Sequence, residues 1–124
     1  MKSVRILIAD DHELIRKGLA ATLNEVAGWS VVGEAENGRR AVELAQSLEP
    51  DVVILDMTMP ELNGEETFRE LRSVRADIPV ILSSGYNELE ATRRFTAKGL
   101  AAFLPKPFTP EDLVRCIRAA LAKP

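Results

Sequence analysis

Short runs of mostly apolar residues alternate along the chain with stretches whose apolar residues return every three or four positions. The runs are Val4–Ala9, Ser30–Ala35, Asp51–Leu55, Pro79–Ser83 and Ala101–Leu104. Each is short enough for a strand, and several are rich in the β-branched residues that suit a pleated surface. Between them the spacing is helical: Leu14, Ile15, Gly18, Leu19 and Leu23 in one stretch, Ala41, Val42, Leu44 and Ala45 in the next. Start signals precede most of these stretches. Asn37 is placed as an N-cap, and Pro50 closes that helical region. Asn63 with Glu66, and Asn87 with Glu90, have capping-box spacing. The former opens a helix with Phe68 and Leu71 on its apolar face, and the latter opens one that ends near Gly99. Thr109-Pro110-Glu111-Asp112 supplies an N-cap, a proline at the first helical position and acids in the first turn. The last helix then carries Leu113, Val114, Cys116, Ile117 and Leu121.

Strand and helix thus alternate five times, and the strands are continuously apolar rather than alternating. A strand of that kind is buried on both faces, so the pattern predicts a parallel sheet covered by helices on either side, an α/β architecture. With no internal repeat, low-complexity tract or linker, residues 1–124 are expected to form one domain.

Composition narrows the function classes. Sixteen Lys and Arg stand against nineteen Asp and Glu, a formal net charge of −3, so this segment lacks the basic footprint of a nucleic-acid binder. The one cysteine, Cys116, can form neither an internal disulfide nor a metal cluster, and its expected role is packing in a reducing compartment. No apolar run is long enough to span a bilayer, and no signal-peptide pattern opens the chain. The expectation is a cytoplasmic module without membrane contact.

Chemistry collects where the apolar runs end. In an open parallel α/β sheet, ligands bind at the carboxyl ends of the strands. Asp10 and Asp11 follow the first strand, Asp56 the third, Ser83 and Ser84 the fourth, and Lys106 the fifth. A single Asp after a strand is often a turn former or a cap. All of these at corresponding strand ends is a different matter, for they bring three carboxylates, a hydroxyl and an ammonium together. Two like charges about 4 Å apart repel by about 4 kcal/mol at an effective dielectric near 20, roughly three pKa units. A hard divalent cation relieves that repulsion, and Mg2+ takes oxygen ligands with few protein carboxylates. Three carboxylates, one Mg2+ and Lys106 sum to zero formal charge, which leaves a site suited to an anionic phosphoryl group. Such transfer rests mainly on positioning and charge neutralisation. The expected nucleophile is a carboxylate oxygen.

The segments ILIADD, ILDMTMPELNG, ILSSG and FLPKPF, in this order and spacing, resemble the receiver (CheY-like) domain of bacterial two-component response regulators over essentially the whole chain. The resemblance implies a doubly wound, flavodoxin-like five-stranded parallel sheet in the order 2-1-3-4-5. It implies that Asp56 is the phosphoacceptor, and that Asp10 and Asp11 hold Mg2+ (with Mn2+ as a substitute) together with Asp56 and the backbone carbonyl of Thr58. Ser84 is then the hydroxyl that turns toward the phosphoryl oxygen, with Ser83 as its competitor, and Lys106 is the counter-ion. Lys106-Pro107 resembles the family's cis peptide bond, and Phe103 occupies the position of the aromatic switch. His12 suggests a phosphohistidine or a metal ligand, but in the family the donor histidine belongs to the kinase, so a loop or helix-start residue is expected. Met57 and Met59 are expected to pack and shape the loop, Trp29 to be a partly buried anchor, and Arg93 and Arg94 to lie on a solvated face.

The implied partners are a histidine kinase or a histidine phosphotransfer domain, and an output domain or protein. That output is met on the face built by the predicted helix ending near Gly99, the fifth strand and the last helix, and a phosphorylation-dependent homodimer is a further implied partner. Enzymatic turnover is not expected beyond self-phosphorylation from small donors and autodephosphorylation. The opening ILIADDHELIRKGL is similar to receivers that precede a DNA-binding domain, while ILSSGYNE is similar to receivers of hybrid kinases. Three rivals are distinguishable. A haloacid-dehalogenase-type phosphatase would carry its nucleophile in a DxDx[TV] motif after the first strand, which Asp10-Asp11-His12-Glu13 does not match. A flavodoxin would have a Ser/Thr/Gly-rich phosphate loop there. A phosphate-independent interaction module would have no use for the acidic set.

Overall fold

A computed structural model describes residues 3–56, 64–75, 77–84, 102–105 and 108–122. In chain order its elements are β1 (Val4–Ala9), α1 (Glu13–Asn24), β2 (Trp29–Ala35), α2 (Gly38–Leu48), β3 (Val52–Asp56), α3 (Gly64–Val74), β4 (Val80–Ser84), β5 (Ala102–Pro105) and a C-terminal helix, Pro110–Ala122. The five strands form one sheet in the order β2-β1-β3-β4-β5, and every neighbouring pair is parallel. The expected doubly wound α/β architecture is therefore observed. The strands differ from their expected spans by a residue at the ends, so that Asp56 and Ser84 are the last residues of β3 and β4.

The continuous apolar runs are explained by burial on two sides. Along β1, Ile6 and Ile8 belong to one core cluster and Leu7 and Ala9 to the other. The first cluster gathers Val52, Ile54 and Ile81 under Ala20 and Leu23 of α1 and Leu113, Ile117 and Ala120 of the C-terminal helix. The second gathers Val53, Leu55, Val80 and Leu82 under Ala41 and Ala45 of α2 and Phe68 and Leu71 of α3. Successive side chains of a strand point to opposite faces, so a strand between two helical layers needs an apolar residue at every position.

Local signals set the helix ends. The Asn37 side chain accepts from the Arg40 N–H at 2.8 Å, the predicted N-cap of α2. Thr109 and Asp112 form a reciprocal capping box: the Thr109 N–H donates to Asp112 Oδ2 at 3.0 Å, and the Asp112 N–H donates to Thr109 Oγ1 at 3.1 Å. Trp29 opens β2, half-buried, with the Arg118 guanidinium 5.7 Å from its ring centroid. In α1 the buried positions are Arg16, Ala20 and Leu23, while Leu14 is 86% exposed and Ile15 38%. The apolar spacing through Leu14, Ile15 and Gly18 thus does not mark the core face. A stripe at i, i+4 and i+7 does, and it begins with an arginine. The expected helix ending near Gly99, with Arg93 and Arg94, lies outside the described residues, as do Asn63, Met57 and Met59. Among the described residues no helix is long and apolar enough to cross a membrane.

Candidate functional site

The site begins where β1 hands over to α1. The Asp10 N–H still donates to the Ala35 carbonyl at 3.0 Å, which extends the β1–β2 pairing one residue beyond the strand. The chain then turns sharply. The His12 N–H folds back onto Asp10 Oδ1 at 2.9 Å, an Asx-type turn. His12 itself is the N-cap residue of α1 in extended conformation, and the Arg16 N–H closes the first helical hydrogen bond onto its carbonyl at 3.0 Å. The expected helix-start role of His12 is observed, but its imidazole does more. Nδ1 lies 3.1 Å from Asp10 Oδ1 and 3.0 Å from Asp11 Oδ1.

Asp56 enters from the neighbouring strand. Ala9 pairs with Leu55, so the next residue along each strand places Asp10 beside Asp56 at the carboxyl edge. Both carboxylates follow the parity of Ile6, Ile8, Val52 and Ile54, and so start from the same face of the sheet. Asp10 is 4% exposed and Asp56 5%. Asp10, Asp11, His12 and Asp56 each offer a ligand atom, and these atoms lie within 4.8 Å of one another. The three aspartates singled out from the sequence are thus brought together. One step further across the sheet, Ser83 pairs with Asp56 and is 3% exposed; its Oγ has no hydrogen-bond partner among the described residues. Thr58, Lys106 and the Lys106-Pro107 bond lie outside the described residues, as do the side chains of Ser84 and Phe103.

One residue of this site escaped the sequence reading. The Arg16 side chain is 11% exposed, and its Nη1 donates to the main-chain carbonyl of Asp10 at 2.8 Å. Its Nε stands 3.4 Å from Glu34 Oε1 on β2, and Lys17 Nζ reaches the same oxygen at 3.2 Å. A guanidinium is therefore buried directly beneath the acidic turn, with its charge balanced from β2. The signal was the stripe Arg16–Ala20–Leu23, which has core spacing.

The donor set tells what the cluster can hold. Carboxylate oxygens crowded this closely repel unless a cation lies among them, and oxygen donors with room for water suit a hard dication. The residues present fit a divalent metal. A doubly wound parallel sheet with a convergent acidic cluster at its carboxyl edge defines an α/β protein with a candidate cation site where such sheets bind ligands. Within that class the chain belongs to the response regulator receiver domain family, whose model matches residues 6–118.

Relatives and solved structures agree with that membership. The chain is 37% identical over 117 residues to the nitrate/nitrite response regulator protein NarL of Escherichia coli, a match covering 94% of this chain and 54% of that protein. It is 39% identical over 119 residues to the transcriptional regulatory protein PdtaR of Mycobacterium tuberculosis, covering 96% and 57%. The chain thus spans about half the length of the curated relatives it matches. The chemotaxis protein CheY4 of Vibrio cholerae superposes with a TM-score of 0.88 at 31% identity, covering 96% of this chain and 99% of that one. The response regulator domain of Thermotoga maritima CheB gives 0.86 at 30% identity, covering 99% and 100%. Receiver domains are the phosphoacceptor parts of two-component signalling, are signalling modules rather than classical enzymes, and bind Mg2+ in an acidic pocket.

Proposed function

We propose that this chain accepts a phosphoryl group on Asp56 from a histidine kinase or a histidine phosphotransfer domain, with Mg2+ held by Asp10, Asp11, Asp56 and the Thr58 carbonyl, and that residues 1–124 act as one receiver unit in the cytoplasm. The observation that supports it best is the convergence of Asp10, Asp11 and Asp56, from two adjacent strands, on one point at the carboxyl edge of the sheet. Of the three, Asp56 ends the middle strand of the sheet and is nearly buried, which favours a single approach to its carboxylate.

An Asp56 oxygen attacks the phosphorus, the P–N bond to the donor imidazole breaks with its electron pair leaving on the ring, and the new P–O bond makes an aspartyl phosphate. Mg2+ (or Mn2+ in its stead), when bound, supplies neutralising charge for the incoming oxygens. Lys106 offsets the remaining charge, and the Ser84 hydroxyl turns onto a phosphoryl oxygen. Phe103 then moves inward, and the face including β5 and the C-terminal helix shifts between two arrangements that an output domain, a partner protein or a second copy distinguishes. Water attacking phosphorus releases inorganic phosphate and restores the carboxylate. The exposed Leu14 and Ile15, on the first turn of α1 beside the acidic loop, offer a donor domain an apolar contact next to the acceptor.

Intact-mass measurement after incubation with acetyl phosphate tests this. The parent gains one phosphoryl group with Mg2+ and none with EDTA, and the Asp56→Asn variant gains none. A variant labelled as fully as the parent would move the acceptor elsewhere. Failure of the parent with both acetyl phosphate and a kinase donor would leave a phosphate-independent interaction module.

A further inference from the structure

The acidic set contains one donor that is not oxygen. His12 is the only histidine in the chain, and its Nδ1 faces Asp10 Oδ1 at 3.1 Å and Asp11 Oδ1 at 3.0 Å, with an Asp56 oxygen in the same 4.8 Å group. A single Nδ1–H must be shared between the two carboxylates, and an unprotonated Nδ1 would face them without a hydrogen. Two donors bound about 2.1 Å from one ion at right angles lie about 3.0 Å apart, which matches both distances.

We infer that His12 Nδ1 is a nitrogen ligand for a borderline divalent transition ion, Co2+ or Ni2+ being representative, at the site that serves Mg2+ through oxygen ligands. This rests on the proposal that Asp10, Asp11 and Asp56 form a cation site. The chemistry separates the two kinds of ion. Mg2+ is hard, takes oxygen and keeps its water, so imidazole adds little to its binding. Imidazole suits Co2+, Ni2+ and Zn2+, whose affinity for mixed nitrogen and oxygen sites exceeds that of Mn2+ in the Irving–Williams order. The ring is positioned for this by its place at the start of α1. Its residue is the extended N-cap of α1, held by its own N–H on Asp10 and by the Arg16 N–H on its carbonyl. Its side chain is 62% exposed, so the ring can turn away when Mg2+ is bound with water. His12 thereby sets which ions compete with Mg2+ for the acceptor site.

The test measures Mg2+, Co2+ and Ni2+ binding by calorimetry at one pH on the full chain, on His12→Ala, on His12→Gln and on Asp56→Asn. Both His12 substitutions are expected to weaken Co2+ and Ni2+ on the order of tenfold or more while leaving Mg2+ within about twofold. Asp56→Asn is expected to weaken all three ions. Nuclear magnetic resonance gives a second readout: the single imidazole should show a large Co2+-induced paramagnetic shift that excess Mg2+ reverses. If Co2+ and Ni2+ bind His12→Ala as tightly as the parent, or the imidazole signals stay in place when Co2+ binds, the ligand role of His12 is overturned. Loss of all three ions on Asp56→Asn alone would in that case leave the acidic site standing. If no ion binds the parent, both proposals fall together.

Discussion

Asp10 and Asp56 are almost inaccessible, yet both carry carboxylates, and what makes that tolerable is found in single side chains around them. Arg16 is the clearest case. Its Nη1 hydrogen bond to the Asp10 carbonyl fixes the turn from which Asp10 and Asp11 project, and its Nε shares the Glu34 carboxylate with Lys17. Arg16→Met keeps most of the apolar stem but deletes the donor. The variant is expected to lose about 1–3 kcal/mol of unfolding free energy, read from urea titration, because a buried carbonyl loses its partner. It should also bind divalent cations about tenfold more weakly by calorimetry, as when an outer support of a metal site is removed. Unchanged cation affinity would restrict Arg16 to packing. The identities of Asp10, Asp11 and Asp56 were legible because carboxylates interrupt apolar runs, whereas Arg16 was hidden because a charged residue in a helix is ordinarily solvated.

The C-terminal helix shows how much of an element is written locally. Thr109, Pro110 and Asp112 had the pattern of a helix start, and the reciprocal hydrogen bonds of Thr109 and Asp112 are the ones that pattern calls for. The Thr109 backbone N–H first, and then a hydrogen bond from the Thr109 side chain to the carboxylate, hold the Asp112 carboxyl below its ordinary pKa; Arg115 adds to the effect. A carboxyl whose folded pKa lies below its unfolded value stabilises the fold above the unfolded value, and that contribution is lost as pH falls through the folded one. Thermal unfolding between about pH 6 and pH 3 should therefore show a steeper loss in the parent than in Asp112→Asn, with the difference arising below about pH 4. Parallel curves would remove Asp112 from the acid response. Helix α1 illustrates the opposite case. Its first-turn apolar residues Leu14 and Ile15 are exposed while Arg16, Ala20 and Leu23 are buried, because the neighbouring layers, and not the helix, decide which stripe is covered.

At the scale of the molecule, cation binding and stability are linked. An ion that binds the folded chain and not the unfolded one stabilises it by RT ln(1 + [L]/Kd), about 1.4 kcal/mol at ten times Kd. For a domain of this size that corresponds to a rise of about 5 °C in Tm. Mg2+ at ten times its measured Kd should produce that rise in the parent, and at the same concentration a much smaller one in Asp56→Asn. An equal rise in both would place the ion outside the acidic site.

The layered α/β class was determined by the chain's local pattern, since buried strands and capped helices follow from residues within a few positions of one another. So were the acidic residues at the strand ends, because an ionised carboxylate is unstable inside a run that must be buried on both sides. The sheet order was different. No local rule places β1 between β2 and β3, and the order expected from family resemblance is an outcome of how the two helical layers close over the sheet. Only that closure sets Asp10 beside Asp56 and Arg16 beside Glu34, because those contacts join residues that meet only when β1, β2 and β3 pair, whereas the His12 ring meets Asp10 and Asp11 within one local turn.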